Sequence, residues 1–273
     1  MAATQDSPIL AFDAVSVRFD DQTALDGVSF TIRRGESLVL LGEAGCGKTV
    51  LLKTALGLIR PDAGRVFLFG EDVTAASEQQ WYGLRARIGV LFQEGGLFDS
   101  LSIEENVSYP LLNQPSLRCP GGEMAERVER SLEFVELGHT LEKYPSELSG
   151  GMRRRVGIAR AIVTEPELLL YDSPTAGLDP ITATTIMALI IKGRDVRRAT
   201  TVIVTHRYQD GEMLTRYRHD PGLGRLTPAS ANGAGPKTHY LVLRAGRVVF
   251  DGSQAALEAS ADPYVANFVR RSG

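Results

Sequence analysis

The stretch "SLVLLGEAGCGKTVLLKTALGLI" (Ser37–Ile59) decides the fold. "SLVLLG" (Ser37–Gly42) reads as a short buried strand, and Leu51, Leu52, Ala55, Leu56 and Ile59 recur at helical spacing. Between them "GEAGCGKT" (Gly42–Thr49) fits G-x-x-x-x-G-K-[ST], and strand before and helix after is the context that makes this pattern a phosphate cradle. Gly42, Gly45 and Gly47 let the backbone curl so that N–H groups point inward at phosphate oxygens. The start of the helix adds the positive end of its dipole. Lys48 is placed to reach the β- and γ-phosphates, and Thr49 to offer its hydroxyl to Mg²⁺. Glu43, Ala44, Cys46 and Val50 complete the expected nucleotide-binding run, with Cys46 read as a small residue in the loop.

Downstream, "LLLYDSPTAGLD" (Leu168–Asp179) carries a second apolar strand that ends on Asp172. In an open α/β sheet ligands gather at the carboxyl ends of strands, so Asp172 is the expected second half of the magnesium site. Ser173 follows it, where a water-activating carboxylate would suit a phosphate-hydrolysing engine.

Further strands are expected at Val15–Phe19, Val28–Ile32, Arg65–Phe69, Ile88–Phe92 and Thr201–Thr205, with a hairpin over Leu241–Val249. The first two are read as joined through "DDQTALDG". From about 97 to 165 the pattern is mostly helical and more polar, which predicts a helical subdomain inserted in one α/β domain. "RHDPGLGRLTPASANGAGPKTH" (Arg218–His239) is rich in Gly, Pro, Ala and Ser and reads as a mobile surface loop.

The 273 residues are 43% hydrophobic and 23% charged, with a net charge of −3, so nothing suggests nonspecific nucleic-acid binding. Cys46 and Cys119 cannot make a disulfide framework and read as reduced thiols. The start "MAATQDSPIL" lacks the features of a signal peptide, and no window has 18 consecutive apolar residues. A membrane role is therefore expected to come through a partner.

A second anion site is legible at "LSGGM" (Leu148–Met152), where Ser149, Gly150 and Gly151 open the helical run "RRRVGIARAI". Two phosphate-binding surfaces in one chain fit two nucleotides shared across a dimer. With these motifs in this order the chain resembles the ATP-binding cassette (ABC) family over nearly its whole length. The resemblance implies a mixed central sheet, an antiparallel β subdomain and the inserted helical subdomain, with ATP and Mg²⁺ as ligands. It places a cassette over 8–255 and a C-terminal helical tail over 256–273. It implies that Phe19 stacks on adenine, that Gln93 senses the γ-phosphate and contributes to the metal site with Thr49 and Asp172, that Leu148–Met152 is the signature, that Gly177, Leu178 and Asp179 cross the dimer interface, and that His206 contacts the γ-phosphate. Met152 stands where many members carry glutamine.

A finer resemblance lies in "LFQEGGLFDSLSIEENVSYPL" (Leu91–Leu111), "GLDPIT" (Gly177–Thr182) and "DPYVANFV" (Asp262–Val269). These look like the ATPase subunit of Mla- and Mce-type lipid transporters. That implies a membrane permease of MlaE type, MCE-domain substrate-binding proteins, no nucleic acid, and a peripheral place on the cytoplasmic face of the bacterial inner membrane. Phe98, Leu101 and Tyr109 would then face the permease, or else belong to the helical core. The family usually has glutamate at the position of Ser173. Without it, Gln93, His206 or Glu94 would have to position water, or the chain would pair with a competent second ATPase, or a homodimer would hydrolyse slowly. A nucleotide-gated, non-hydrolytic regulator is the alternative function. Soluble ABC proteins of translation or DNA repair fit poorly, because there is one cassette, no sustained heptad pattern and no basic excess.

Overall fold

The computed structural model describes residues 8–114, 119, 122–229 and 236–270. Two long strands, β1 (Pro8–Phe19) and β2 (Gln22–Arg33), form a hairpin. The connection expected over "DDQTALDG" is shorter than read: the chain turns at Asp20 and Asp21, and Gln22 already pairs with Phe19. Asp20 takes φ 49, the left-handed conformation that tight hairpins use, so a two-residue turn suffices. β3 (Ser37–Gly42) and α1 (Lys48–Ala55) follow, then β4 (Ala63–Leu68), β5 (Glu71–Asp72), α2 (Glu78–Arg85) and β6 (Ile88–Leu91). The helical segment carries α3 (Ile103–Asn113), α4 (Glu123–Phe134) and α5 (Gly150–Ile162). β7 (Leu168–Asp172), α6 (Pro180–Arg197), β8 (Thr200–Thr205) and α7 (Tyr208–Arg216) return to the core. β9 (Tyr217–Asp220), β10 (Arg225–Pro228), β11 (Thr238–Arg244), β12 (Arg247–Gly252), α8 (Gln254–Glu258) and α9 (Pro263–Arg270) end the described chain.

The central sheet has the order β12-β11-β3-β8-β7-β6, parallel except for β12. The four-stranded sheet β2-β1-β4-β5 is antiparallel. The central strands are apolar on both faces, as expected of a parallel sheet covered on both sides. Leu38, Leu40, Leu168, Leu170, Val202 and Val204 enter one core with α1 and the antiparallel sheet. Their neighbours Val39, Leu41, Leu169, Tyr171 and Ile203 enter a second core with α5, α6 and the helical segment. The period-two alternation of a strand thus welds two cores through one sheet.

The segment expected as a mobile loop at 218–239 is in part the ordered hairpin of β9 and β10. A polar anchor explains why hydrophobic periodicity missed it. Arg194 of α6 is fully buried, donates to the Tyr217 carbonyl at 3.0 Å and pairs with Asp195 at 2.7 Å. Asp195 in turn accepts the His219 N–H at 2.8 Å. Residues 230–235 of that segment and 271–273 of the tail lie outside the described residues. No helix among the described residues is long and apolar enough to cross a membrane.

Candidate nucleotide site

The loop between β3 and α1 is closely packed at its two end glycines, Gly42 and Gly47. Gly47, at the head of α1, has φ 109, and a Cβ there would collide with the Ala24 carbonyl oxygen of β2. A Cβ at Gly42 would collide with Cys46 Sγ and come within 2.8 Å of the Leu243 carbonyl oxygen. Lys48 curls back over the loop, and its Nζ donates to the carbonyls of Gly42 (2.8 Å) and Glu43 (2.7 Å). An ammonium is therefore held at the lip of the cradle. Cys46 is buried with its Sγ 3.8 Å from Lys48 Nζ, and burial pushes its thiol up despite the opposing pull of Lys48. The Cys46 thiol therefore stays protonated at neutral pH and is a poor nucleophile.

Asp172 ends β7, two strands from β3, and is 7% exposed. Its Oδ2 accepts from Thr49 Oγ1 of α1 at 3.4 Å, so two of the three expected metal ligands, distant in sequence, meet. A hydroxyl beside a carboxylate is an oxygen donor set suited to Mg²⁺, which keeps several waters and needs few protein ligands. Ser173 has φ 49, and its Oγ donates to Asp172 Oδ1 at 3.2 Å. Its hydroxyl proton is thus directed at the neighbouring carboxylate.

The turn after Asp172 is held from two sides. Thr175 Oγ1 and Thr205 Oγ1 each donate to the buried Asp210 Oδ2 at 2.7 Å. Burial pushes the Asp210 carboxyl up, against those two hydrogen bonds and the nearby Arg207 and His206. From the other side Arg154 of α5 donates to three carbonyls of the same turn. Arg154 and Asp210 were both missed in the sequence. Arg154 sits in the run Arg153–Arg155, which reads as a basic helix end. It shares the inward face with Gly157, Ile158 and Ala161, the i, i+3, i+4, i+7 pattern that would have revealed it.

Lys48, Thr49, Gln93, Asp172, Ser173 and His206 line one cleft of 870 Å³, together with Glu43, Ala44 and Gly45. Four separate parts of the sequence thus converge on one volume. The C-terminal helix α9 adds Asn267 and Phe268 to the wall, and Tyr264 Oη accepts from the Glu43 N–H at 3.4 Å while donating to the Leu243 carbonyl at 3.1 Å. The sequence reading of that tail as helix gave no hint that it would touch the phosphate loop. Val50 packs against the core, and Phe19 stands 47% exposed at the β1–β2 turn, outside the cleft lining. Ser149, Gly150 and Gly151 also lie outside that lining. Ser149 caps α5, its Oγ accepting from the Met152 N–H at 3.3 Å. A Cβ on Gly151 would stand 2.6 Å from Thr182 Cγ2, so its smallness lets α5 approach α6. The side chain of Glu94 lies outside the described residues.

A phosphate loop on β3, a carboxylate on β7 and a helical segment inserted between β6 and β7 define a phosphate-loop cassette. The chain belongs to the ABC transporter family, whose model matches residues 25–176. It is 41% identical over 204 residues to the methionine import ATP-binding protein MetN 2 of Rhodococcus jostii, covering 73% of this chain and 59% of that protein. It is 37% identical over 208 residues to the probable ribonucleotide transport ATP-binding protein mkl of Mycobacterium tuberculosis, covering 75% of this chain and 57% of that protein. The chain thus spans less than two thirds of the length of these relatives. The fold is similar to a dimeric post-hydrolysis state of the ATP-binding cassette MJ0796 bound to ADP and Pi, at TM-score 0.74 and 26% identity over 89% of this chain and 98% of that one. It is equally similar to cbiO1 of Clostridium perfringens, part of the ABC transporter complex cbiONQ, at TM-score 0.74 and 28% identity over 97% and 96% of the two chains.

Proposed function

We propose that this chain is the ATP-binding subunit of an ABC transporter, in which Mg·ATP closes two cassettes on each other and closure drives a membrane permease. The observation that carries this is the meeting of Thr49 and Asp172 in the cleft roofed by Lys48. Lys48 would exchange its two carbonyl partners for β- and γ-phosphate oxygens, and the loop N–H groups would hold the remaining phosphate charge. Thr49 and Asp172, with Gln93, would hold Mg²⁺, which when bound neutralises phosphate charge. Phe19, exposed at its hairpin, offers a ring face to adenine. Ser149–Gly151 would engage the nucleotide of a second copy or of a sister ATPase.

Hydrolysis is expected to be slow. A serine hydroxyl is a negligible base at neutral pH, and this one already donates to Asp172. His206 and Gln93 line the same cleft and are the groups left to orient the attacking water. The regulatory alternative, a nucleotide-gated partner of a competent ATPase, is favoured by that same Ser173 hydrogen bond.

The finer reading is transport of lipids or other hydrophobic molecules with a permease of MlaE type and MCE-domain proteins, at the cytoplasmic face of the bacterial inner membrane. It rests on the sequence resemblance at 91–111, 177–182 and 262–269; the named relatives carry methionine or ribonucleotide designations. An exposed aromatic pair supports a docking face for the permease. The rings of Phe98 and Tyr109 tilt against each other at 4.6 Å, and both are two-fifths exposed. Asn106, fully buried, fixes the turn that presents them, accepting the Phe98 N–H at 2.8 Å and donating to the carbonyls of Phe98, Leu101 and Ser102.

Calorimetric titration of Mg·ATP into the full chain tests the reading. Lys48→Ala removes two charge-assisted contacts, each worth about 1.5–3 kcal/mol. Affinity should fall roughly 100-fold or more. Unchanged affinity would remove the basis of the proposal.

A further inference from the structure

One guanidinium holds one side of the turn that follows Asp172, the side away from Asp210. Arg154 lies on α5, the helix headed by Ser149, and is 5% exposed. Its Nη1 donates to the carbonyls of Ser173 (3.2 Å) and Pro174 (2.6 Å), and its Nη2 to that of Ala176 (2.7 Å). Three carbonyls within four residues converge on one planar fork, which an ammonium could not reproduce. The turn has little strength of its own. It begins and ends in left-handed backbone, with φ 49 at Ser173 and φ 71 at Gly177. Its internal backbone bonds are those of Ala176 to Ser173 (3.1 Å) and Leu178 to Thr175 (3.3 Å). Asp179 then caps α6, accepting the N–H groups of Ile181 and Thr182 at 3.0 Å, and Thr182 abuts Gly151 at the head of α5. The signature end of α5 and the segment 173–182 are therefore joined at two points, through Arg154 and through Gly151 against Thr182.

We propose that Arg154 is a positioning residue that makes the Ser149–Gly151 helix end and the Ser173–Asp179 turn one mechanical unit. In the sandwich dimer proposed above, on which this inference rests, the two ends face different nucleotides. Ser149–Gly151 meets the nucleotide held by the partner's phosphate loop, while Asp172 and Ser173 serve the chain's own. Arg154 thereby transmits occupancy of one pocket to the acid and hydroxyl of the other. Such a coupling is an exchange of free energy between two sites and acts in both directions.

Amide hydrogen exchange of the full chain with and without Mg·ATP reads this directly, because it needs no hydrolysis. In the native chain Mg·ATP should slow exchange in residues 43–50, 149–155 and 173–179 together. In Arg154→Met the slowing at 43–50 should remain, and that at 173–179 should fall by about tenfold or more. Arg154→Lys, which keeps a buried cation with fewer donors, should fall between the two and serves if the Met variant does not fold. Parallel phosphate-release kinetics should show kcat reduced by about 100-fold with KM nearly unchanged, the mark of lost positioning. Retained nucleotide protection at 173–179 in a folded variant would overturn the proposal. Loss of protection at 43–50 as well would also overturn it, because Arg154 would then be holding up the whole site. A native chain that gains no protection anywhere would refute the nucleotide reading itself.

Discussion

Replacing Ser173 by glutamate isolates the chemical step from everything else in the cleft. The backbone tolerates the change, since φ 49 is already left-handed with serine and costs glutamate no more. The Ser173 N–H to the Val204 carbonyl (2.8 Å) and the three Arg154 hydrogen bonds to carbonyls of this turn do not involve the Ser173 side chain and survive. What is lost is the 3.2 Å hydrogen bond from Ser173 Oγ to Asp172, worth about 1 kcal/mol. What is added is a carboxylate near Asp172 in the same cleft. Two such charges about 5 Å apart repel by roughly 1–3 kcal/mol at effective dielectric constants of about 20–80. Bound Mg²⁺ offsets that repulsion, so Mg·ATP affinity should stay within about tenfold. Against these small terms stands a general base, worth about 10²–10⁴ in rate or roughly 3–5 kcal/mol of barrier. Steady-state phosphate release by the purified variant should therefore exceed that of the native chain by about 100-fold or more, with KM little changed. A native chain that is already fast, and a variant that is no faster, would refute the reasoning.

Gly47→Ala should abolish nucleotide binding in calorimetry, because its Cβ meets the Ala24 carbonyl at a φ of 109; retained binding would show that the loop is not held by β2. Glu167 receives hydrogen bonds from Arg87 (2.6 Å) and Arg34, and although burial pushes its carboxyl up, those bonds outweigh it and hold it below its usual range. A depressed folded-state pKa gives stability that is present above the unfolded value near 4.3 and is lost as pH falls through the lower folded value. Glu167→Gln should therefore cost about 1 kcal/mol at pH 7, a figure kept small by partial exposure, and the difference in denaturant unfolding should vanish in acid; a gap that persists at low pH would contradict this assignment. Tyr171 buries its hydroxyl without a hydrogen-bond partner among the described residues, so Tyr171→Phe should raise stability by about 1 kcal/mol and the melting temperature by roughly 2 °C; a lower melting temperature would mean the hydroxyl is satisfied.

The central sheet was legible because its strands announce themselves as apolar runs, and Ser37–Gly42 and Leu168–Asp172 fall where the sequence placed them. Lys48, Thr49, Gln93, Asp172, Ser173 and His206 were legible as motifs, and the fold brings them to one cleft. What escaped was polar and tertiary. The hairpin of β9 and β10 depends on Arg194 buried beneath it, and no local pattern marks a strand anchored by a guanidinium. Arg154 was hidden in a run of three arginines, of which its burial on the inward face of α5 singles it out. Tyr264 lies more than 200 residues from Glu43, and only the folded chain brings its hydroxyl to the phosphate loop. The sequence left Phe98 and Tyr109 between a core and a docking role, and in the fold both rings are about two-fifths exposed and tilt against each other at 4.6 Å.

Whether two cassettes share each nucleotide is open to one cross-linking measurement. Ala44 is exposed within the phosphate loop, and Ser149 is exposed at the head of α5. Ala44→Cys and Ser149→Cys, placed on separate chains in which Cys46 and Cys119 are serine, should join as an inter-chain disulfide when Mg·ATP is added and stay apart without it. Equal cross-linking with and without nucleotide, or none at all in a chain that still binds Mg·ATP, would contradict the sandwich.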